Sequence, residues 1–425
     1  MSGAAAAGAA MSTGAGVCPV AHGSPVDVPA QGRVPLHSAE FAADPHQVYG
    51  RMRAEFGSLA PVELAPGVGA TLVLGYRTAL RVLHDPQHFP ADPRSWQDSL
   101  PTECPIRSMV EWRPNAIRNT GSVHERYRRA TTAAINAVDL HALHATVEAI
   151  AIPLINTFCE SGRAEVLGDY ALPLTFAALN AVVGCSDEIG ERLAGAFAVM
   201  FDGGDGDAIN TAINTALSEL LALKRDTPAD DIATRLVQHP VALDEEELIQ
   251  QLVTIYAAGI EPVTNLIANT LRLMVTDDRF AGSVLGGSLS TRDALDEVLF
   301  TDPPMANYCL SYPRQPVLID GVWLPADQPV VISIAAANRD PAIAGGDRTG
   351  NASHLAFSSG PHACPAQDLA YLIAHDAIDQ LLDALPEIQL AIAPDELRWR
   401  PGPFHRALTE LPITFPPSPR LDMGK

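Results

Sequence analysis

Apolar positions recur with helical spacing over most of the interval from Val123 to Met274, whereas period-two alternation is confined to short pieces nearer the two ends. The most regular segment is DEEELIQQLVTIYAAGIEPVTNLIANTLRLM, from Asp244 to Met274. Asp244 with Glu247 three residues on makes the Asp variant of a capping box, and the acidic first turn suits the positive end of the helix dipole. Apolar residues occupy most faces of this helix, which predicts a place at the centre of the fold. The pair Ala258-Gly259 and then Pro262 interrupt it. An interior proline removes one backbone hydrogen bond and clashes with the preceding turn, at about 3 kcal/mol, so a kink is expected there. Closer to the N-terminus, DPHQVYGRMRAE reads as a helix over 44–55 with Asp44 as N-cap and Pro45 at its first position. PVELA and ATLVLG, separated by PGVG, read as a β-hairpin, followed by a helix near Tyr76–His84. The stretch Phe89–Pro114, rich in Pro, Asp and Ser, reads as a long ordered loop. Strand-like pieces return at PVLID-GVWLP and PVVISIA. The fold class is therefore mainly α with a small β region, without internal repeats.

Composition narrows this picture more than it fills it. The chain has 425 residues, enough to bury a large core. Acidic residues outnumber basic ones 50 to 28, and the net charge of −22 argues against nucleic acid and anionic membrane as partners. Six cysteines at irregular spacings, with no CxxC pair, argue against a disulfide framework or a structural zinc site and suit a reducing, cytoplasmic setting. No apolar run approaches the roughly 20 residues that span a bilayer. Residues 1 to about 30, rich in Ala and Gly and lacking a basic start, read as a disordered tail rather than a signal peptide, and the stretch from about residue 36 to 425 reads as one globular domain.

The chemistry concentrates in HLAFSSGPHACPAQDLA, from His354 to Ala370. A loop with one glycine and two prolines delivers Cys364 to the mouth of a helix, where Pro365 fits the first helical position and the helix dipole favours a thiolate. Such a thiolate can ligate iron and push electron density onto it. An isolated cysteine is more often a buried, inert thiol; here its surroundings decide. Phe357, Gly360, His362 and Cys364 carry a string that resembles the haem-binding pattern Phe-x-x-Gly-x-His-x-Cys-x-Gly of the cytochrome P450 superfamily, with Ala366 in place of the last glycine. His124 and Arg128 lie four residues apart on one helical face and resemble the family's His-x-x-x-Arg, whose cations bind haem propionates. His362 and His354 are further candidates for that task. PADDIATRLV and AAANRDP are also similar to family landmarks, so the resemblance spans almost everything from about residue 36 onward.

The resemblance implies the triangular-prism P450 fold, with a b-type haem between the long helix and the Cys364 loop and no separate metal site. It also implies catalytic positions on that helix, where the family carries an oxygen-activating Ala/Gly-Gly-x-Asp/Glu-Thr. The chain reads Ala258-Gly259-Ile260-Glu261-Pro262: the acid is kept, and the alcohol that helps deliver protons is a proline. Thr264 is two positions on, about 200° around the helix, and replaces it only if a kink re-aims it. Arg-Pro stands here in fatty-acid peroxygenases of the superfamily, and Glu-Pro matches half of that pair. Glu261 is either an acid–base group over the haem with a raised pKa or a carboxylate bonded to a neighbouring turn.

Two more departures concern structure. In the family's Glu-x-x-Arg, Glu297 remains but Phe300 holds the Arg position, so Glu297 must find another donor, be protonated or face water. The Gly-rich loop AGGDRTGNAS, with Arg348 its one cation, precedes the haem string. The family's later propionate arginine falls on Ser311, with Arg314 the nearby substitute.

Three functions follow. The first is a monooxygenase that takes electrons from ferredoxin and ferredoxin reductase and inserts one oxygen of O2 into an apolar small molecule, with Arg126, Arg128 and Arg129 docking an acidic ferredoxin. The second is peroxide-driven or otherwise altered oxidation. The third is a regulatory haem protein with a protein partner and little turnover. Substrate contacts are expected from Phe89–Pro114 and Met200–Asp226, where Met200 and Phe201 are pocket candidates. Because Pro365 offers no N–H to the sulfur, the thiolate should donate strongly and hold the iron potential low; redox titration of Pro365→Leu should show a raised potential.

Overall fold

The computed structural model describes residues 32–201, 206–281, 289–343, 345, 351–385 and 387–422. The N-terminal tail, Arg348 and the side chains of Met200 and Phe201 lie outside the described residues.

Local sequence signals start and stop the elements where physical chemistry expects. Asp44 caps the helix Pro45–Phe56 by accepting from the Gln47 N–H at 3.0 Å, and Gly57 ends it at a positive φ of 75°. The hairpin forms from β2 (Leu59–Ala65) and β3 (Val68–Val73), turning at Gly67 with φ 79°. It belongs to a five-stranded sheet in the order β1-β2-β3-β8-β5, where β1 is Val34–Pro35, β5 is Asn307–Ser311 and β8 is Val330–Ser333. β4 (Arg163–Glu165), β10 (Pro412–Thr414) and β9 (Gln389–Leu390) form a second small sheet, and β6 (Val317–Ile319) pairs with β7 (Val322–Leu324). The segment Phe89–Pro114 is less irregular than expected: it holds a 3₁₀ turn at Gln97–Ser99 and a short helix at Arg107–Val110. Its buried Trp96 stacks on Tyr312 at 5.1 Å, which pins the loop to the end of β5.

The central helix runs from Glu245 to Thr276, 32 residues. Both halves of its capping box form, each at 2.9 Å: Glu247 N–H to the Asp244 carboxylate and Asp244 N–H to the Glu247 carboxylate. Glu247 also accepts from Arg126 and from the Tyr127 hydroxyl, which joins the helix Gly121–Asn136 (the histidine helix) to the first turn of the central one. The helix continues unbroken through Pro262. The proline frees the Ala258 carbonyl, and one turn on, Asn265 donates its side-chain amide back to the Glu261 carbonyl at 2.8 Å. Leu252, Tyr256, Ile260, Ile267 and Leu271 are fully buried, packing against the helices Leu172–Val183, Thr291–Thr301 and Gln367–Ala384. Among the described residues no single helix is long and apolar enough to cross a membrane.

Asp302, which ends the helix Thr291–Thr301, gathers charges from three distant segments. His46 lies at 2.9 Å, Arg406 at 3.2 Å and Arg272 of the central helix at 3.5 Å. Burial alone would raise the Asp302 pKa; the His46 hydrogen bond and the Arg406 and Arg272 charges instead hold it well below the usual carboxylate range. A carboxyl depressed in the folded state stabilises fully above its unfolded pKa, about 4, and that stability is lost as pH falls through the folded value. Asp302→Asn should therefore lose roughly 3–5 kcal/mol at pH 7. In urea melts, the gap from the parent should narrow below about pH 4.

Candidate active site

The cysteine loop is shaped by backbone before side chains matter. Gly360 sits at φ 69°, and a Cβ there would lie 2.5 Å from the Leu83 carbonyl oxygen, so the loop passes over the helix Tyr76–Leu83 only with glycine at that position. The Cys364 N–H donates to the Phe357 carbonyl at 2.8 Å and closes the turn. The helix that follows, Gln367–Ala384 (the cysteine helix), begins later than the sequence suggests: Ala366 is its N-cap, and Pro365 lies in the preceding turn rather than at the first helical position. Cys364 is only half-buried by surface exposure, yet burial around its sulfur pushes the thiol pKa up; the Ala366 N–H and the positive charge of Arg128 oppose that rise. The N–H that Pro365 lacks is thus supplied one residue later.

The histidine helix brings His124 and Arg128 to this loop. His124 is buried, its Nε2 has no hydrogen-bond partner, and its ring lies 4.1 Å from that of His362. Burial and the neighbouring Arg128 lower the His124 pKa. Burial, with His124 and Arg128 beside it, holds His362 down at about 3. Burial lowers Arg128 as well, and Cys364 is the charge that raises it. No carboxylate pairs with Arg128 among the described residues. His354 does not join this group. It packs edge-to-face on Phe300 at 5.3 Å and against Phe357 at 5.9 Å, and burial holds its pKa at about 4.

Along the central helix, Ala257 and Ala258 are exposed in the middle of an otherwise buried element, flanked by half-buried Ile255, Glu261 and Pro262. Small residues therefore open one face of the helix. Gly259 faces elsewhere: a Cβ there would touch Leu179 at 3.0 Å, so this glycine serves close helix packing. Glu261 is not an isolated acid; Arg400, from the C-terminal segment rather than a neighbouring turn, donates directly to it. Thr264 is buried with an unpartnered hydroxyl.

The missing Glu-x-x-Arg pair is replaced rather than left broken. Glu297 keeps a side chain 19% exposed, 3.7 Å from Arg279, so it is no uncompensated buried charge. Phe300 is buried against His354. The tie between this helix and the cysteine loop is Asn338, fully buried, which donates to the Leu299 carbonyl at 3.0 Å and accepts from the Leu355 N–H at 2.8 Å. Arg314, expected near a propionate, is instead held by Asp92 at 2.8 Å with a side chain 56% exposed, and Ser311 is buried with an unpartnered hydroxyl. Of the expected docking cations, Arg126 is engaged by Glu247 and the Ala242 carbonyl and Arg128 turns inward; Arg129 is exposed. Sequence reasoning singled out the string AAANRDP that holds Asn338 without giving that residue a role, and it missed Arg400, which nothing in its local string distinguishes from a surface polar residue.

A thiol, a buried imidazole nitrogen without a partner, a half-buried guanidinium without a carboxylate and a facing helix of small residues suit a flat apolar ring that carries carboxylates on one edge and a metal at its centre. These residues fit haem. No protein-family model matches the chain. It is 28% identical over 392 residues to the cytochrome P450 monooxygenase PikC of Streptomyces venezuelae, covering 88% of this chain and 92% of the relative. It is 27% identical over 396 residues to the vitamin D(3) 25-hydroxylase of Pseudonocardia autotrophica, covering 90% and 96%. The fold superposes on that of CYP154C4 from Streptomyces sp. W2061 with a TM-score of 0.81 at 24% identity, covering 90% and 97%. The architecture is the mostly helical P450 fold, and the site is of the kind that takes haem. The chain is thus similar, over nearly its whole length, to haem-dependent monooxygenases of the cytochrome P450 superfamily, and it is an oxidoreductase.

Asn338→Ala would orphan one buried carbonyl and one buried N–H at the root of the cysteine loop. Unfolding stability should fall by roughly 2–4 kcal/mol, and amide exchange from Leu355 to Cys364 should quicken more than exchange in the central helix.

Proposed function

We propose that Cys364 is the thiolate ligand of a b-type haem and that His124, Arg128 and His362 hold its carboxylates. On this reading ferredoxin and ferredoxin reductase supply electrons for inserting one oxygen of O2 into an apolar small molecule in the cytoplasm. The observation that carries the reading is the meeting of Cys364 with Arg128 and the orphaned His124 imidazole, from segments some 240 residues apart in the chain. When bound, the haem supplies oxygen activation, and thiolate ligation favours O–O cleavage. The chain's own groups do the rest. The Ala366 N–H steadies charge on the sulfur. Ala257 and Ala258 leave room on the facing helix. A relative named for a vitamin D(3) hydroxylation supports an apolar substrate class. Exposed Arg129 remains as a ferredoxin contact.

A second reading, peroxide-driven oxidation, is favoured by one specific arrangement. Position 262 offers no alcohol, Thr264 is walled into the core, and Glu261 is engaged by Arg400, so the helix presents no free hydroxyl–carboxyl pair for moving protons. Peroxide arrives already carrying its protons and electrons. A regulatory role with a protein partner remains the reading for a chain that binds haem and turns over nothing.

The test is spectroscopic first. The haem-loaded protein, reduced under CO, should show the band at about 450 nm of thiolate ligation, and Cys364→Ala or Cys364→His should abolish it. Retention of that band in either variant overturns the assignment of Cys364. Product formation with a surrogate ferredoxin system, set against peroxide alone, then separates the two enzymatic readings.

A further inference from the structure

We infer that Arg118 is a further cation for the haem carboxylates, standing in for the strand arginine that this chain lacks at Ser311; the inference rests on the haem reading of Cys364, His124 and Arg128 above. Arg118 lies just before the histidine helix, in a turn pinned by Asn115, whose side-chain oxygen accepts from the Arg118 N–H at 3.0 Å and the Ile117 N–H at 3.1 Å. Its side chain is buried, at 7% exposure for the residue. The guanidinium donates to the Tyr308 hydroxyl at 2.8 Å and to the Met109 carbonyl, and its carbon lies 5.7 Å from the Tyr308 ring centroid.

Every one of those partners is neutral. Among the described residues no carboxylate lies within ion-pair distance of Arg118. A guanidinium out of water costs several kcal/mol unless an anion compensates it, and a carbonyl and a phenol do not carry the charge to do so. The position of Arg118 says where that anion belongs. The turn that holds Arg118 also meets His362, which donates to the Ala116 carbonyl and whose ring lies 4.1 Å from that of His124. The Arg128 guanidinium and the unpartnered His124 imidazole on the histidine helix, and Arg118 in the turn before it, therefore border one region.

Tyr308, which Arg118 grips, stands on β5 three residues from Ser311, so Arg118 delivers its charge to the strand on which the sequence pattern expects an arginine. Arg314 does not compete for that role, because Asp92 engages it. The ligand class is a carboxylate pair on a planar apolar body, the propionate edge of haem. A guanidinium suits it because two parallel N–H donors match a carboxylate.

The test uses haem-loaded protein and two readouts: the rate of haem release to excess apomyoglobin, and the ferric/ferrous midpoint potential. Arg118→Gln should release haem about tenfold faster, the size expected for one charge-assisted hydrogen bond. Its potential should fall, because losing a nearby positive charge favours the more positive ferric state. Arg118→Lys should restore most of both, and Arg314→Gln should change neither. A structural role for Arg118 would leave the potential unmoved. If Arg128→Gln speeds release while Arg118→Gln does not, the inference fails and the haem reading stands. If neither substitution alters release, the propionate reading fails and the inference falls with it.

Discussion

A sulfur that burial drives toward its neutral form has to be held near cations if it is to carry charge, and most of the site's construction follows from that constraint. Cys364 is reached by one N–H, from Ala366, and by the field of Arg128. Neither guanidinium near the loop has a carboxylate of its own in the described residues, and the His124 nitrogen has no partner at all. A protein interior tolerates such unpaired guanidinium groups only where an anion completes them. The same electrostatic argument explains why the loop must be rigid: a cation field falls steeply with distance, so a loop free to move would lose the stabilisation. Gly360 folded over the Leu83 carbonyl and the Cys364–Phe357 hydrogen bond supply that rigidity from the backbone.

The loop's other anchor shows how one solution can replace another at similar cost. A buried Glu–Arg pair is worth little net against well-packed apolar groups of similar size, because desolvation offsets most of the attraction. Here an edge-to-face contact between Phe300 and His354 and a two-way amide bridge through Asn338 connect the same helix to the same loop. An aromatic contact of this kind contributes about 0.5–1.5 kcal/mol beyond its buried area, and each bridge hydrogen bond a comparable amount. Glu297, relieved of its partner, is half-buried beside Arg279. Charge remains important one turn on, where Asp302 collects His46, Arg272 and Arg406 and ties the central helix to both ends of the chain.

The central helix combines rigidity with an unusual polar arrangement. Pro262 is carried within a continuous helix because the residues that follow it are buried on nearly every face, so tertiary packing outweighs the lost hydrogen bond. Glu261 then turns to Arg400, a residue of the C-terminal segment, and burial around the ring of the half-buried His405 nearby lowers its pKa. An acid clamped in this way is positioned by its partner.

The sequence by itself determined the elements whose causes are local. Asp44 and Asp244 start their helices by accepting backbone N–H groups a few residues on, Gly67 makes the hairpin turn, and the string from Phe357 to Cys364 marks the loop, because each effect acts within one turn of chain. The start of the cysteine helix was misplaced by two residues because Ala366, with no capping side chain, leaves no signal for it. Only the tertiary structure decided which charges meet. That Glu261 finds Arg400, that Arg314 is taken by Asp92, that His354 packs on Phe300 rather than joining the cations, and that Arg118 lies buried without an anion all depend on contacts between segments far apart in the chain. Electrostatic pairing is set by distance in space and by burial, and neither is written in the spacing of residues along a sequence.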